Sequence, residues 1–231
     1  HPPQSQYDAV EATCRLDSCT PQTAPMFITF EGPDGSGKTT QIALLAAFLR
    51  QQGYDVLTTR EPGGTAIGDQ IRTCLHDVRN ADMTSAAEIL LYSASRAQLV
   101  QEVIRPALAS GITVICDRFA DSTMAYQGYG RGLDLEALAF ITRFATGGLE
   151  PDLTFLLDMD VEAGIHRRAR GGEEMNRMDL QKASFHRRVR EGYLQMVASQ
   201  PQRWIVIDAE RPVNVVQAAI REEIRARLEL V

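Results

Sequence analysis

The chain has 231 residues, the length of one ordinary α/β domain or of one domain with a small insertion, and its 44% hydrophobic and 23% charged residues are typical of a globular protein. Its net charge of −6 excludes a global attraction to nucleic acid or acidic membranes, and no apolar stretch is long enough to span a bilayer. The four cysteines, Cys14, Cys19, Cys74 and Cys116, lack metal-like pairing, so we expect a reduced, cytoplasmic setting.

Along the chain, residues 1–25 are rich in Pro, Gln, Thr and Ser and are predicted to form a flexible N-terminal extension, followed by one domain over residues 26–231. Apolar segments predict strands at residues 26–30, 56–59, 112–116, 153–159 and 204–207. Amphipathic segments predict helices at residues 39–52 and 86–108 and from Pro212 onwards. Nearly continuous apolar strands that alternate with helices predict a parallel sheet with helices on both faces.

A glycine-rich turn follows the first predicted strand and matches the pattern G-x-x-x-x-G-K-[ST]. Glycines let backbone N–H groups converge on a phosphate, and the next helix adds its positive N-terminal end. We expect Lys38 to reach the β- and γ-phosphates of ATP and the Thr39 hydroxyl to bind Mg²⁺. The alternative is a glycine-rich turn without a ligand. The predicted ATP-binding residues are Gly32, Pro33, Asp34, Gly35, Ser36, Gly37, Lys38, Thr39 and Thr40.

The rest of the sequence narrows the class of nucleotide-binding protein. A GTPase would carry an N-K-x-D motif that reads the base, and this sequence has none. A motor or a large ATPase would need a longer chain. A small kinase with a second, phosphate-accepting substrate is therefore the favoured class.

Three segments near predicted strand ends carry side chains suited to a phosphorylated acceptor. Arg60 follows the second strand, where a guanidinium can clamp a phosphate. Tyr92 and Arg96 are four residues apart on a predicted helix, so they share a face that can stack a base. Asp117 and Arg118 follow the third strand, where a carboxylate can position Mg²⁺ and an arginine can bridge two phosphates. Each segment also has a purely structural alternative. The first could be an ion-paired turn, the second a core tyrosine beside a surface arginine, and the third a plain strand terminus.

Together with the glycine-rich turn, these segments resemble the thymidylate kinase family. Residues 117–127 fit the family signature D-R-[FY]-x-x-S-x-x-A-[YF]-[QT], and residues 59–64 and 92–96 also fit. The likeness extends over about residues 26–229. It implies a P-loop NTPase fold with a five-stranded parallel sheet, a homodimer, and transfer of a phosphoryl group from ATP–Mg²⁺ to dTMP.

The resemblance also implies roles for residues that would bind dTMP. Thymine would stack on Tyr92, with Arg96 at the base edge and Gln127 beside it. The phosphate would be held by Arg60 and Arg118.

The sugar and the reacting groups are assigned in the same way. Tyr126 would crowd the 2′ position and so disfavour ribonucleotides, and Ser122 belongs to the matched signature. Asp34 would approach the sugar or the phosphate of the acceptor. Thr39 and Asp117 would supply the ligands for Mg²⁺.

In one branch of the family an arginine follows the acidic residue of the phosphate-binding loop, but this chain has Gly35 there. The other branch supplies the arginine from a mobile lid, which is expected here at about residues 167–178. The lid contains Arg167, Arg168, Arg170, Gly171, Gly172 and Arg177. Arg170, which precedes the glycines, is the first choice for the catalytic arginine of the lid. With Asp34, Lys38 and Arg118 it forms the predicted catalytic set. A solvated charged helix is the alternative, and Asn176-Arg177 departs from the Asp-Arg common in the family.

Two other functions compete with this interpretation. The first is another P-loop nucleotide or small-metabolite kinase, which the choice of acceptor would reveal. The second is a non-enzymatic nucleotide-binding module, which would release no ADP in the presence of dTMP.

Overall fold

The computed structural model describes residues 24–170 and 176–228. The predicted N-terminal extension, apart from its last two residues, and the lid glycines Gly171 and Gly172 lie outside the described residues. Within them, five strands form one parallel sheet in the order β2-β3-β1-β4-β5, which confirms the predicted sheet. The strands are β1 Phe27–Glu31, β2 Val56–Arg60, β3 Thr113–Asp117, β4 Leu153–Asp158 and β5 Trp204–Asp208.

Helices connect the strands. The α-helices of the described residues are α1 Lys38–Gln51, α2 Ala66–His76, α3 Ser85–Leu99, α4 Arg105–Ala109, α5 Ala120–Thr123, α6 Leu135–Thr146, α7 Val161–Arg170, α8 Ala183–Ser199 and α9 Val213–Leu228. A 3₁₀ turn spans Val78–Asn80, and π-helical turns span Val100–Ile104 and Met124–Gly130. No helix in the described ranges combines the length and the apolar character needed to cross a membrane.

The predicted helix at residues 86–108 is divided in the structure. It begins as α3, changes to π-helical hydrogen bonding at Val100–Ile104 and continues as α4. Pro106 lies in the first turn of α4, and because proline has no N–H group, it cannot continue the regular hydrogen-bonding pattern. Helices α2, α5, α6 and α8 were not predicted, and a helix in the region of α7 was considered only as the alternative to the lid.

The core lies on both faces of the sheet, as predicted. On one face α1 packs with Ile42, Leu45 and Leu49, which recur at helical spacing, against β1 and β4. The opposite face is covered by Leu99 and Ile104 of the α3–π segment, together with residues of α8. The three central strands are consequently almost fully buried, which explains their continuous apolar sequences.

This topology sets the position of the site. The carboxyl ends of parallel strands meet at one edge of a sheet, and open α/β sheets bind ligands at this edge. In the register, Asp117 of β3 pairs with Arg60 of β2 and Phe30 of β1. The segments that follow β1, β2 and β3 therefore converge although they are far apart in sequence.

Candidate active site

A cleft of about 870 Å³ opens at the carboxyl edge of the sheet. Its volume is within the range of roughly 300–1,000 Å³ that is usual for ligand pockets. The predicted site residues that line it are Asp34, Gly35, Gly37, Lys38, Thr39, Thr40, Arg60, Tyr92, Asp117, Arg118, Ser122, Tyr126 and Gln127. Side chains selected from four separate segments of the sequence thus share one cavity.

The phosphate-binding loop, residues 32–39, wraps around the ammonium group of Lys38. Nζ of Lys38 donates hydrogen bonds to the carbonyl oxygens of Gly32 (3.2 Å) and Pro33 (3.0 Å). Gly35 and Gly37 adopt left-handed φ angles of 81° and 88°, which favour glycine over residues with a Cβ atom. Burial, followed by the charge of Arg118, lowers the pKa of Lys38. The loop therefore holds this cation in place before any phosphate binds.

Arg118 connects the two halves of the cleft. Its Nη2 atom donates to Oδ1 of Asp34 (2.8 Å) and to the hydroxyl of Tyr126 (3.1 Å). Burial alone would raise the pKa of Asp34, but the charges of Arg118 and Lys38 bring it well below its usual range. Asp34 is consequently a carboxylate that orients Arg118, and it is not available as a proton donor near neutral pH.

A buried carboxylate, Glu31, supports this arrangement from below. Its Oε2 atom accepts hydrogen bonds from the hydroxyls of Ser122 (2.6 Å) and Tyr193 (2.7 Å), and Oε1 accepts from the backbone N–H of Phe119 (2.8 Å). Arg118 Nη1 lies 3.9 Å from Oε2. Neither Glu31 nor Tyr193 was predicted, although a carboxylate that ends an apolar strand just before the loop is a visible signal.

The donor set for a magnesium ion is present beside the loop. The hydroxyl of Thr39 donates to Oδ2 of Asp117 at 3.3 Å, so two hard oxygen ligands face each other in the cleft. The described residues contain no group of three or more His, Cys, Asp or Glu that could hold a metal ion by themselves. The pair therefore fits Mg²⁺ that takes its other ligands from nucleotide phosphates and water.

The acceptor side of the cleft contains an aromatic ring and several cations. Burial raises the pKa of Tyr92 to about 12, so its hydroxyl remains neutral. Arg60 is 57% exposed and lies 3.4 Å from Asp69. Among the lining residues that were not predicted are Arg72, which donates to the carbonyl of Pro62 at 2.9 Å, and His76. Arg60, Arg72 and Arg118 bring three positive charges to this side.

Arg96 differs from the other residues predicted to bind the acceptor because it does not line the cleft. Its side chain is 1% exposed and forms an ion pair with Glu61, with Nη2 2.6 Å from Oε2. It also donates to Oγ1 of Thr123 (2.9 Å) and to the carbonyl of Phe119 (3.0 Å). A buried guanidinium needs such partners, and here they join α3 to the segments after β2 and β3. Contact between Arg96 and a base edge stays a prediction.

The arginines of the predicted lid occupy different environments. Arg167 and Arg168 line the cleft; Arg167 donates to the carbonyl of Ala209 (2.9 Å), and Arg168 Nη2 lies 3.2 Å from Oδ2 of Asp179. Arg170 ends α7, is exposed and does not line the cleft. Arg177 is buried against Glu88, with Nη2 2.5 Å from Oε2. Of the four, Arg167 and Arg168 thus have access to the cleft, whereas a catalytic role for Arg170 stays a prediction.

Comparisons with known proteins agree with this geometry. The sequence model of a family described as thymidylate kinase matches residues 30–220. The thymidylate kinase of Geotalea uraniireducens is 52% identical over 207 residues, which cover 87% of this chain and 97% of that protein. The thymidylate kinase of Deinococcus radiodurans is 53% identical over 195 residues, which cover 84% of this chain and 94% of that protein.

The structural comparison confirms the P-loop NTPase fold. The crystal structure of thymidylate kinase from Ehrlichia chaffeensis matches with a TM-score of 0.72 and 35% sequence identity, covering 88% of this chain and 100% of that one. The family match spans the loop, the acceptor segments and the lid helix α7. The chain therefore belongs to the thymidylate kinase family.

Proposed function

We propose that this protein transfers the γ-phosphoryl group of ATP–Mg²⁺ to dTMP, which yields ADP and dTDP and supplies dTTP synthesis. The observation that carries the proposal is the Arg118–Asp34 contact of 2.8 Å, because it links the phosphate-binding loop to the acceptor side of one cleft. The names of the related proteins, all thymidylate kinases, support the same acceptor.

On the donor side, the loop amides and the N-terminus of α1 would bind the phosphates of ATP, with Lys38 at the β- and γ-oxygens. Thr39 and Asp117 would hold Mg²⁺, which would neutralise part of the negative charge of the ATP phosphates. The protein groups need to move little, because hydrogen bonds already fix Lys38 and Thr39. Such preorganisation lowers the cost of reaching the transition state.

On the acceptor side, the ring of Tyr92 would stack on thymine and the guanidinium groups of Arg60 and Arg72 would bind the phosphate of dTMP. Arg118 would hold the attacking phosphate oxygen close to the γ-phosphoryl group. Its orientation depends on Asp34 and on Tyr126, both of which accept from the same nitrogen. Tyr126, which is 6% exposed, leaves little room to adjust to a ribose hydroxyl.

Charge that spreads over the transferring group needs a further cation. We assign this role to the part of the lid that lines the cleft. Arg168 is preferred to Arg170 because Arg168 lines the cleft and lies next to the phosphate-binding loop. The main chain of Arg168 packs on the loop: its backbone nitrogen would lie 3.0 Å from a Cβ atom added at Gly35. We retain residues 26–231 as the kinase domain and about 167–178 as the lid.

The proposal includes a cytoplasmic homodimer. Helix α6 exposes Phe140 and Phe144, whose relative accessibilities are 66% and 84%, and α3, which packs beside it, exposes Leu90 at 59%. Large apolar side chains grouped on neighbouring helices are typical of a subunit interface. A second copy of this chain would cover them.

The test is a coupled ADP-release assay in which dTMP, dUMP, dGMP, AMP and shikimate are supplied separately with ATP–Mg²⁺. We expect dTMP to give the highest kcat/KM. Preference for AMP, dGMP or shikimate would identify a different kinase, and no acceptor-dependent ADP release would favour a binding module. Sedimentation of the same preparation should report twice the chain mass.

A further inference from the structure

Glu88 is a fully buried carboxylate at the start of α3, and four donors surround it. Arg131 contacts both of its oxygens, with Nε 2.7 Å from Oε1 and Nη2 2.8 Å from Oε2. Arg177 Nη2 lies 2.5 Å from Oε2. The fourth donor is the side-chain amide of Gln127, whose Nε2 atom lies 2.9 Å from Oε1. Arg177 belongs to the predicted lid and Gln127 to the predicted acceptor site, whereas Glu88 and Arg131 have no role in the site described above.

Glu88 is ionised in this environment. Burial would raise its pKa, but the hydrogen bonds from Arg131 and Gln127 outweigh burial and lower it. A carboxylate has acceptors only, so the atom of the Gln127 amide that faces it must be the NH₂ group. The contact thereby fixes the rotation of the amide, a property that the shape of a glutamine side chain alone leaves open.

The other atom of the amide, the carbonyl oxygen Oε1, is left for a ligand. None of the described residues donates a hydrogen bond to it, and Gln127 lines the cleft together with Tyr92. The side chain is 2% exposed, so its position is restrained by packing as well as by Glu88. The wall of the cleft beside Tyr92 consequently presents a fixed hydrogen-bond acceptor.

We propose that Glu88 is a positioning residue for base selectivity, which holds the Gln127 amide so that its oxygen selects a pyrimidine with an N–H group at ring position 3. The inference rests on the proposed function, in which the base lies beside Tyr92. Thymine and uracil carry this N–H group. Cytosine has a bare nitrogen there, which would face the oxygen of Gln127 as a second acceptor.

A matched pair of nucleotides confines the comparison to the hydrogen-bonding edge of the base. 5-Methyl-dCMP has the size, the methyl group and the sugar phosphate of dTMP, and it differs at positions 3 and 4 of the ring, the hydrogen-bonding edge. Sites built to hydrogen-bond a substrate group reject analogues that lack it by about 10⁴- to 10⁵-fold. We therefore measure kcat/KM for both nucleotides and, by calorimetry, their equilibrium binding, which does not depend on turnover.

The test variants are Glu88→Gln and Glu88→Asp. Glutamine at 88 offers either a donor or an acceptor, so both orientations of the Gln127 amide become possible. Aspartate keeps the negative charge for Arg131 and Arg177 but moves the carboxylate away from Gln127. Glu88→Asp therefore still tests the inference if Glu88→Gln fails to fold. We expect the preference for dTMP over 5-methyl-dCMP to fall about tenfold or more in each variant, in kcat/KM and in binding.

The control is Arg131→Met, which removes a donor from the same cluster without touching Gln127 and should leave the preference unchanged. If Glu88 had a merely structural role, its replacement would lower kcat/KM and binding equally for the two nucleotides. An unchanged preference in both Glu88 variants, with dTMP kinase activity intact in the wild type, would therefore overturn the inference. Failure of the wild-type protein to phosphorylate dTMP would instead contradict the proposed function. In that case an unchanged binding preference would still overturn the role of Glu88, and a reduced one would support it.

Discussion

At Gly35 of the phosphate-binding loop, the backbone of the loop lies directly against the backbone of α7 at Gly164. A Cβ atom added at Gly35 would lie 2.8 Å from the carbonyl oxygen of Gly164 and 3.0 Å from the backbone nitrogen of Arg168. Contacts below 3.0 Å with backbone atoms force a displacement. The space that an arginine at position 35 would need is thus occupied by the helix that carries the lid arginines.

This contact makes substitution at Gly35 costly. We expect Gly35→Ala and Gly35→Arg to reduce kcat by tenfold or more and to lower the melting temperature, because position 35 also has a φ of 81°. Gly35→Arg should not restore activity to a lid variant, for the same reason. Gly164→Ala is the matched control, since its Cβ atom would approach neighbours no closer than 3.5 Å. Equal tolerance of Ala at both positions would contradict this account.

Lys38 is the most sensitive position of the loop. We expect Lys38→Ala to abolish turnover, because the β- and γ-phosphates lose their main cation, while thermal unfolding stays close to that of the wild type. Lys38→Arg should also fail, since a planar guanidinium does not fit the space between the carbonyls of Gly32 and Pro33. The coupled ADP-release assay measures both. Substantial activity in Lys38→Ala would remove the loop from the mechanism.

Removal of Arg168 should affect the chemical step more than binding. We expect Arg168→Ala to lower kcat by about 10²-fold or more with dTMP binding nearly unchanged, as for cations that act in the transition state. Arg170→Ala, which lies outside the cleft, should cost less. Steady-state kinetics and calorimetry with dTMP separate the two effects. A loss of only a few fold in each of Arg167→Ala, Arg168→Ala, Arg170→Ala and Arg177→Ala would refute the lid assignment.

Tyr126 should set the choice of sugar. We expect dTMP to be favoured over ribothymidylate by about tenfold or more in kcat/KM, which corresponds to at least ~1.4 kcal/mol. Tyr126→Phe keeps the ring and should keep this preference, although the loss of the contact with Arg118 should lower kcat. Tyr126→Ala should weaken the preference. Equal specificity constants for the two sugars in the wild type would contradict the prediction.

His76 gives the protein a stability term that depends on pH. Burial, followed by the charge of Arg72, lowers its pKa from 6.5 to about 4. The folded state therefore resists protonation, and the contribution is complete above pH 6.5 and is lost as the pH falls towards 4. We expect His76→Gln to flatten the fall in the urea midpoint between these values. Parallel curves for the two proteins would rule out this contribution.

The elements that sequence could predict are those encoded locally. The five strands are short apolar runs, and the loop has a fixed spacing of glycines and lysine, so both are visible without tertiary contacts. Helix α6 was not predicted, although its sequence contains residues typical of the two ends of a helix. Asp134 caps its first turn by accepting from the N–H groups of Glu136 and Ala137, and Gly147 ends it with a left-handed φ of 58°.

The contacts that sequence could not supply join distant residues. Tyr92 and Arg96 share a helix face by spacing, but only the fold reveals that Arg96 turns to Glu61, which precedes it by 35 residues. Glu31 and Tyr193 are separated by 162 residues, and no local pattern predicts their hydrogen bond. The roles of buried charged residues therefore depend on topology, whereas the loop chemistry does not.

The order of the strands also has a consequence for synthesis of the chain. β1 is central in the sheet but is the first of the five strands to be synthesised. Its neighbour β3 pairs Val114 with Phe27, so the apolar β1 stays unpaired until these later residues have been made. At about 5–20 residues per second, that delay lasts several seconds. Pairing between such distant segments slows folding, and an unpaired apolar strand is prone to aggregate. A nascent chain that ends before Asp117 should therefore need a chaperone that shields Phe27–Glu31.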